Sequence, residues 1–280
     1  MPTDHGSSAR DAKLASVLIA ARNESRHVEK CLQSLLAQSY PHIEIIVIDD
    51  GSTDDTAQRA LQSGVRVLSQ LHSGKARALA AGARIAAGKA LLFLDADMIF
   101  DQDYVRHLVT PIFSAETVGT AHAIEHVANP ENRSSRCWQR QAGLPLTERL
   151  VIGDEEFRKG SQVFRAVESA AFHRVGGFDD IGYLDDQTLA PKLGCRALWI
   201  REAICSHYNV ESLAEVAALG RWASVALARE KGVEAKRRFL PPVIALRALL
   251  NTVRLGPAMA AYRCAWEWGA WTGLRHPSTP

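Results

Sequence analysis

The chain has 280 residues, 47% hydrophobic and 23% charged, the balance of a globular protein with a sizeable core, which excludes a disordered chain. Its 33 Lys and Arg against 31 Asp and Glu leave a net charge of +2, too small an excess for a protein devoted to nucleic acid. The charge is uneven, because residues 211–280 carry 10 basic and 5 acidic side chains, net +5, leaving net −3 for residues 1–210.

Residues 1–13 are polar, lack the apolar core of a secretory leader and are expected to be flexible. Ser16 to Ala21 reads as a buried strand, followed by a helix whose stripe is Val28, Cys31, Leu32, Leu35 and Leu36 and which Pro41 stops. Ile43 to Ile48 is a second strand, and Ser52 or Thr53 is expected to cap a helix with Ala57, Ala60 and Leu61 on its inner face. Val65 to Leu68 is a third strand, Lys75 to Ala87 a small-residue helix, and Ala90 to Leu94 a fourth strand. Tyr104, Val105, Leu108, Val109 and Ile112 mark another helix, Val118 to Ala123 a fifth strand, and Arg133 to Arg140 a polar loop or lid. Alternation at this spacing predicts an α/β fold, a doubly wound, mostly parallel sheet with helices on both faces and its active site at the carboxyl ends of the strands.

Residues 211–280 read as a helical extension. Val243, Leu246, Leu249, Leu250 and Val253 form an apolar stripe, Arg247, Asn251 and Arg254 a polar one, and Trp222, Trp266, Trp268 and Trp271 are four of the six tryptophans. Such a surface suits either contact with a membrane interface or docking on a catalytic domain. No uncharged apolar run is long enough to span a membrane. Five widely spaced cysteines without a CxxC fit a reducing cytoplasm.

Neither G-x-G-x-x-G nor G-x-x-x-x-G-K-[ST] follows these strands, which disfavours a dinucleotide dehydrogenase and a P-loop NTPase. Carboxylates stand there instead, in Asp49-Asp50-Gly51-Ser52-Thr53-Asp54 and Asp95-Ala96-Asp97. Hard oxygen ligands at strand ends suit Mg²⁺ or Mn²⁺ with room left for a substrate phosphate. Asp54, Asp101 and Asp103 read as turn or cap residues, Gly176-Gly177 as a turn with positive φ, and Arg158, Lys159 and Arg165 as solvated charges.

Ala21-Arg22-Asn23-Glu24, Asp49 to Asp54, Gly74-Lys75-Ala76, Asp95-Ala96-Asp97, Val175-Gly176-Gly177-Phe178-Asp179 and Asp185-Asp186, in this order, resemble the signature of family 2 glycosyltransferases with the GT-A fold. The resemblance covers about 14–210, leaving 211–280 as the extension. It implies inverting transfer from a nucleotide-diphospho-sugar, usually UDP-linked, with Mn²⁺ or Mg²⁺. By position, Ala21, Arg22, Glu24 and Ala96 line the nucleotide, Asp50 receives the base's imide N–H, and Lys75 lies near the base. Asp95 faces the ribose, Asp97 binds the metal, and Asp186 is the general base beside Asp185, where the family usually has Glu-Asp. His207 resembles a late histidine that some members turn to the metal or diphosphate, set against a structural role. Arg221-Trp222 resembles part of the Q-x-x-R-W motif of processive members, but Ala218 stands at the Gln position. That departure predicts transfer of a single sugar to a hydroxyl acceptor, a glycan or a lipid-linked one among the candidates. The cysteines point to a cytoplasmic protein, and the membrane reading of the tail, the alternative to docking, would place it at the inner face. The alternatives are a haloacid-dehalogenase-like phosphohydrolase, because Leu91 to Ile99 approximates that family's strand with D-x-D, and a non-catalytic sugar-nucleotide-binding protein.

Overall fold

The computed structural model describes residues 13–181, 185–224, 244, 246, 247, 250 and 256–275. The expected flexible segment, except Lys13, and most of the 243–253 stripe lie outside the described residues. By contact the chain divides into one unit of 1–126, 150–180 and 185–207 and another of 127–149, 181–184 and 208–280.

In the first unit, β1 (Ala15–Ala21), α1 (Val28–Leu36), β2 (Ile43–Asp50), α2 (Thr56–Gln62), β3 (Arg66–Gln70), α3 (Lys75–Ile85) and β4 (Ala90–Asp95) alternate as the sequence predicts. Then come β5 (Met98–Phe100), α4 (Tyr104–Phe113), β6 (Gly119–Val127), α5 (Arg133–Ala142), β7 (Glu148–Val151), α6 (Asp154–Lys159), β8 (Ala166–Glu168), α7 (Ser169–Arg174), α8 (Leu189–Leu193) and β9 (Leu198–His207). A helix over 213–224, α9, and α10 (Pro257–Arg275) complete the described elements.

The sheet order is β3-β2-β1-β4-β8-β6-β9-β5. Its first four strands are parallel, each joined to the next through a helix. The rest of the sheet is antiparallel where its pairings are defined, β8 against β4 and β6, and β5 against β9. Two residues separate β4 from β5, far fewer than a parallel crossover needs, so β5 pairs elsewhere.

Both faces of the parallel half are covered, which is why β1, β2 and β4 are continuous apolar runs. Val17, Ile19, Val47, Leu92 and Leu94 pack with Val28 and Leu32 of α1 and Tyr104 and Leu108 of α4. Leu18, Ile46, Ile48, Leu91 and Phe93 meet Ala78, Leu79 and Ala83 of α3 and Phe172 of α7.

In the second unit, Arg133 to Arg140 is not a loop but most of helix α5. Its inward residues are Ser135, Cys137 and Gln139, small or polar, so the segment shows no apolar period. Asn132 Oδ1 accepts hydrogen bonds from the N–H groups of Ser134 at 2.8 Å and Ser135 at 3.1 Å and caps the helix. Buried Asn209 donates to Ser135 Oγ at 3.0 Å and accepts from Arg149 at 2.5 Å. Cys137, Val216, Met259 and Tyr262 form the small apolar core. Arg247, on the expected polar stripe, pairs with Glu267 at 3.2 Å. Among the described residues no helix is long and apolar enough to cross a membrane.

Helices α9 and α10 approach until their backbones touch. A Cβ on Gly269 would lie 1.9 Å from the Ala217 carbonyl oxygen, and one on Gly220 would lie 2.2 Å from that of Trp266. Gly269→Ala is therefore expected to force the helices apart and destabilise the unit by about 1–3 kcal/mol, the usual cost of overpacking. Chemical denaturation followed by tryptophan fluorescence checks this, and an unchanged midpoint would show that the contact is not tight.

Candidate active site

Strand register carries the acidic residues to one edge. Ala21 is paired with Asp49, Ala20 with Asp95, and Asp50 with Gln70, so β1, β2, β3 and β4 end together. The loops beyond them are stitched by side chains. Ser52 Oγ accepts from the Asn23 N–H at 3.0 Å, Asn23 Oδ1 from the Thr53 N–H at 2.8 Å, and Thr56 Oγ1 from the Glu24 N–H at 2.7 Å. Ser52 and Thr53 are thus engaged with Asn23 instead of capping a helix; α2 begins at Thr56, whose N–H donates to Asp54 Oδ1 at 3.0 Å. Asp54 is the turn residue expected of it. Gly51 holds φ +74°, and a Cβ there would lie 2.8 Å from the His72 backbone nitrogen, so only glycine lets the two loops close. Ala21 and Ala96 are buried among these ends, and burial raises the pKa of Glu24.

Asp50 organises the loop before α3. Its Oδ1 accepts from Gln70 Nε2 at 2.7 Å, the Ser73 N–H at 2.9 Å and Ser73 Oγ at 3.2 Å. Its Oδ2 accepts from His72 Nδ1 at 2.8 Å and the Gly74 N–H at 2.9 Å. Burial works against ionisation, but these donors outweigh it and hold the carboxyl below its ordinary pKa. Five donors fill a carboxylate's accepting capacity. His72 Nε2 accepts from Arg22 at 2.8 Å, which brings Arg22 to the same cluster.

Asp95 is held by two cations, Lys75 at the start of α3 and Arg165, whose nitrogen lies 2.9 Å away. Burial opposes its charge, yet the two cations keep it far below the usual carboxylate range. Arg165 is therefore not a solvated charge. Its side chain is 17% exposed, and its partner lies seventy positions away in sequence. Lys75, Arg165, Asp185 and Asp186 line one cleft with Leu79, Phe93 and Phe178. Burial pushes the Asp185 carboxyl up to about 6, against the opposing charge of Lys75 and with help from Asp186. Burial also raises Asp186, against Lys75 and Arg165.

Asp97 meets His207 through the second half of the sheet. Met98 on β5 is paired with His207 on β9, and Asp97 immediately precedes Met98. His207 Nε2 lies 3.1 Å from Asp97 Oδ2, and its Nδ1 lies 2.8 Å from Glu125 Oε1. A carboxylate oxygen and an imidazole nitrogen side by side, with the carboxylate 28% exposed, suit a divalent cation that keeps open positions for substrate oxygens. His122, Glu125 and Cys205 form a second group with metal-ligand atoms within 4.8 Å of one another. All three are buried, leaving no evident place for a substrate, so a catalytic ion fits Asp97 and His207 better. Sequence reasoning missed His72, Gln70 and Glu125, and placed Arg165 in solvent. Only His72-Ser73, directly before Gly74-Lys75, carried a local signal.

The family model described as "Glycosyl transferase family 2" matches residues 16–177. An uncharacterized glycosyltransferase of Nostoc sp. is 30% identical over 116 residues, 39% of this chain and 36% of that protein. The chain thus spans about a third of that relative's length, and less of the next. Among solved structures, S. aureus TarS 1-349 in complex with UDP-GlcNAc superposes with a TM-score of 0.57 at 14% identity, covering 95% of this chain and 92% of that one. The mannosyltransferase PcManGT of Pyrobaculum calidifontis, in complex with GDP-Man and Mn²⁺, gives 0.55 at 19% identity, covering 94% and 88%. At such identities the likeness shows the fold, which is the GT-A type expected, and nothing in these matches favours a phosphohydrolase.

The raised Asp185 pKa predicts a pH dependence of stability. The folded state retains this proton up to about pH 6, whereas the unfolded chain releases it near the ordinary carboxylate value. Between those values stability falls as pH rises. Asp185→Asn should therefore raise the thermal midpoint more at pH 7 than at pH 4.5, by differential scanning fluorimetry. An equal shift at both values would remove the assignment.

Proposed function

We propose that this chain, which belongs to glycosyl transferase family 2, moves a single sugar from a nucleotide-diphospho-sugar, UDP-linked, to an acceptor hydroxyl with inversion at the anomeric carbon. The observation that carries this reading is the gathering of Asp50, Asp95, Asp97, Asp185 and Asp186 at the carboxyl ends of one sheet, within one unit. TarS in complex with UDP-GlcNAc supports the UDP donor, and the Mn²⁺ in the PcManGT complex supports a metal.

Asp186 takes the proton of the acceptor hydroxyl as its oxygen attacks the anomeric carbon and the bond to the diphosphate breaks. A carboxylate with a raised pKa is a better base than an ordinary one. Lys75 and Arg165 border the same cleft and would face the negative charge that develops on the departing group. Asp97 and His207 would hold Mn²⁺ or Mg²⁺, which when bound neutralises charge developing on the diphosphate. Asp50 receives the imide N–H of the base by giving up one of its present donors, of which His72 is the most exposed residue. Ala21, Arg22, Glu24 and Ala96 surround the nucleotide. A nucleoside diphosphate leaves without protonation, so the site needs no second carboxylate acting as acid.

The tail, net +5 and rich in tryptophan, supports peripheral contact with an anionic membrane on the cytoplasmic side. That surface suits a lipid-linked acceptor.

Asp186→Asn is expected to lower UDP release from the donor by about 10² to 10⁴-fold while UDP affinity stays within a few-fold. Parent-like turnover would remove Asp186 as base, and inorganic phosphate appearing with the UDP would point to a phosphohydrolase. Separately, cosedimentation with anionic vesicles should exceed that with neutral ones and weaken as salt rises. Equal recovery on both would leave the tail without a membrane role.

A further inference from the structure

Behind Asp97 and His207 lies a carboxylate for which the reaction has no direct use. Glu125 is 5% exposed. Its Oε1 faces His207 Nδ1 at 2.8 Å, and its Oε2 faces His122 Nε2 at 3.0 Å. On the far side, His122 Nδ1 lies 2.8 Å from the Tyr104 hydroxyl and 3.6 Å from Cys205 Sγ.

The hydrogen-bonding capacities of these groups allow one coherent pattern. Tyr104 donates its O–H to His122 Nδ1, which leaves the ring N–H on Nε2, donated to Glu125. Burial, the largest influence on His122, favours its neutral form and so agrees with this tautomer. An ionised Glu125 only accepts, so the hydrogen of His207 on that side belongs to Nδ1. The lone pair available to a cation is then on Nε2, the atom 3.1 Å from Asp97.

Stability alone gives little reason for this arrangement, since apolar residues of similar volume often replace a buried ionic cluster without loss. An imidazole whose far nitrogen is held by a carboxylate is, however, the usual means of fixing a metal-ligating ring. We infer that Glu125, braced by His122 and Tyr104, is a positioning residue that fixes the ring of His207 with Nε2 turned to Asp97 for a divalent cation. This rests on the metal role proposed for Asp97 and His207.

The test is Mn²⁺ binding to the full chain with UDP, read from the electron paramagnetic resonance of free Mn²⁺. Loss of binding in Asp97→Ala supports the metal site itself, and retention there overturns that reading whatever Glu125 does. Glu125→Gln, equal in size but able to turn an N–H toward His207, is expected to weaken Mn²⁺ about 10 to 100-fold. Its unfolding midpoint in EDTA should stay near the parent's, while the rise in midpoint on adding Mn²⁺ should shrink. Parent-like Mn²⁺ affinity in Glu125→Gln overturns the inference. Should that variant not fold, ¹⁵N imidazole spectra of the parent loaded with Zn²⁺ and UDP decide. A proton on His207 Nδ1 supports the positioning role, and one on Nε2 ends it.

Discussion

An ionised carboxylate at the end of a buried strand is tenable only when cations come to it, and Asp95 has two. Leaving such a group unpaired inside a protein would cost several kcal/mol or force it to take up a proton. Lys75 and Arg165 reach it from opposite directions in the sequence, one opening α3 and the other immediately before β8. The pairing therefore fixes where α3 starts and where the antiparallel half joins β4. Once α3 is fixed, the segment 70–74 ahead of it has little freedom. Its two backbone N–H groups and the side chains of Gln70, His72 and Ser73 converge on Asp50. The cleft containing Asp185 and Asp186 borders the same two cations, so one electrostatic requirement organises both the Asp50 cluster and that cleft.

The parallel half of the fold was legible because burial on both faces leaves an unmistakable trace, continuous apolar runs such as 17–19, 46–48 and 91–94, the last two ending in carboxylates. The other half leaves no such trace. β5 and β8 are three residues each, too short for a period, and their pairing is set by partners distant in sequence. Helix α5 escaped because its inner face is Ser135, Cys137 and Gln139, whose burial depends on hydrogen bonds supplied from elsewhere, for Ser135 by Asn209. Arg165 was misread for a related reason. A charged residue is normally solvated, and only the arrival of Asp95 makes its burial tolerable. Asp97 and His207 were each visible as candidates, but nothing local could show that they touch.

The second unit reaches order by different means. Its apolar core is small, and close approach of α9 to α10 and a bonded polar cluster around Asn209 do much of the holding. Arg149 serves two purposes there, donating to Asn209 and lying over the ring of Trp138 at 4.8 Å. These are directional contacts, more sensitive to small displacements than apolar burial is.

The pairing of Met98 with His207 sets an order in time as well as in space. Asp50 and the pair of Lys75 with Asp95 lie within the first hundred residues, on neighbouring βα units whose contacts close short loops, and Arg165 joins Asp95 later. Asp97 waits for a strand more than a hundred positions further along the chain. Closing so long a loop costs more entropy and comes late in folding, and on the ribosome β9 must first emerge. A nascent chain thus acquires much of the carboxylate edge before the His207 side of the proposed metal site exists, and the last strand to join the sheet completes it.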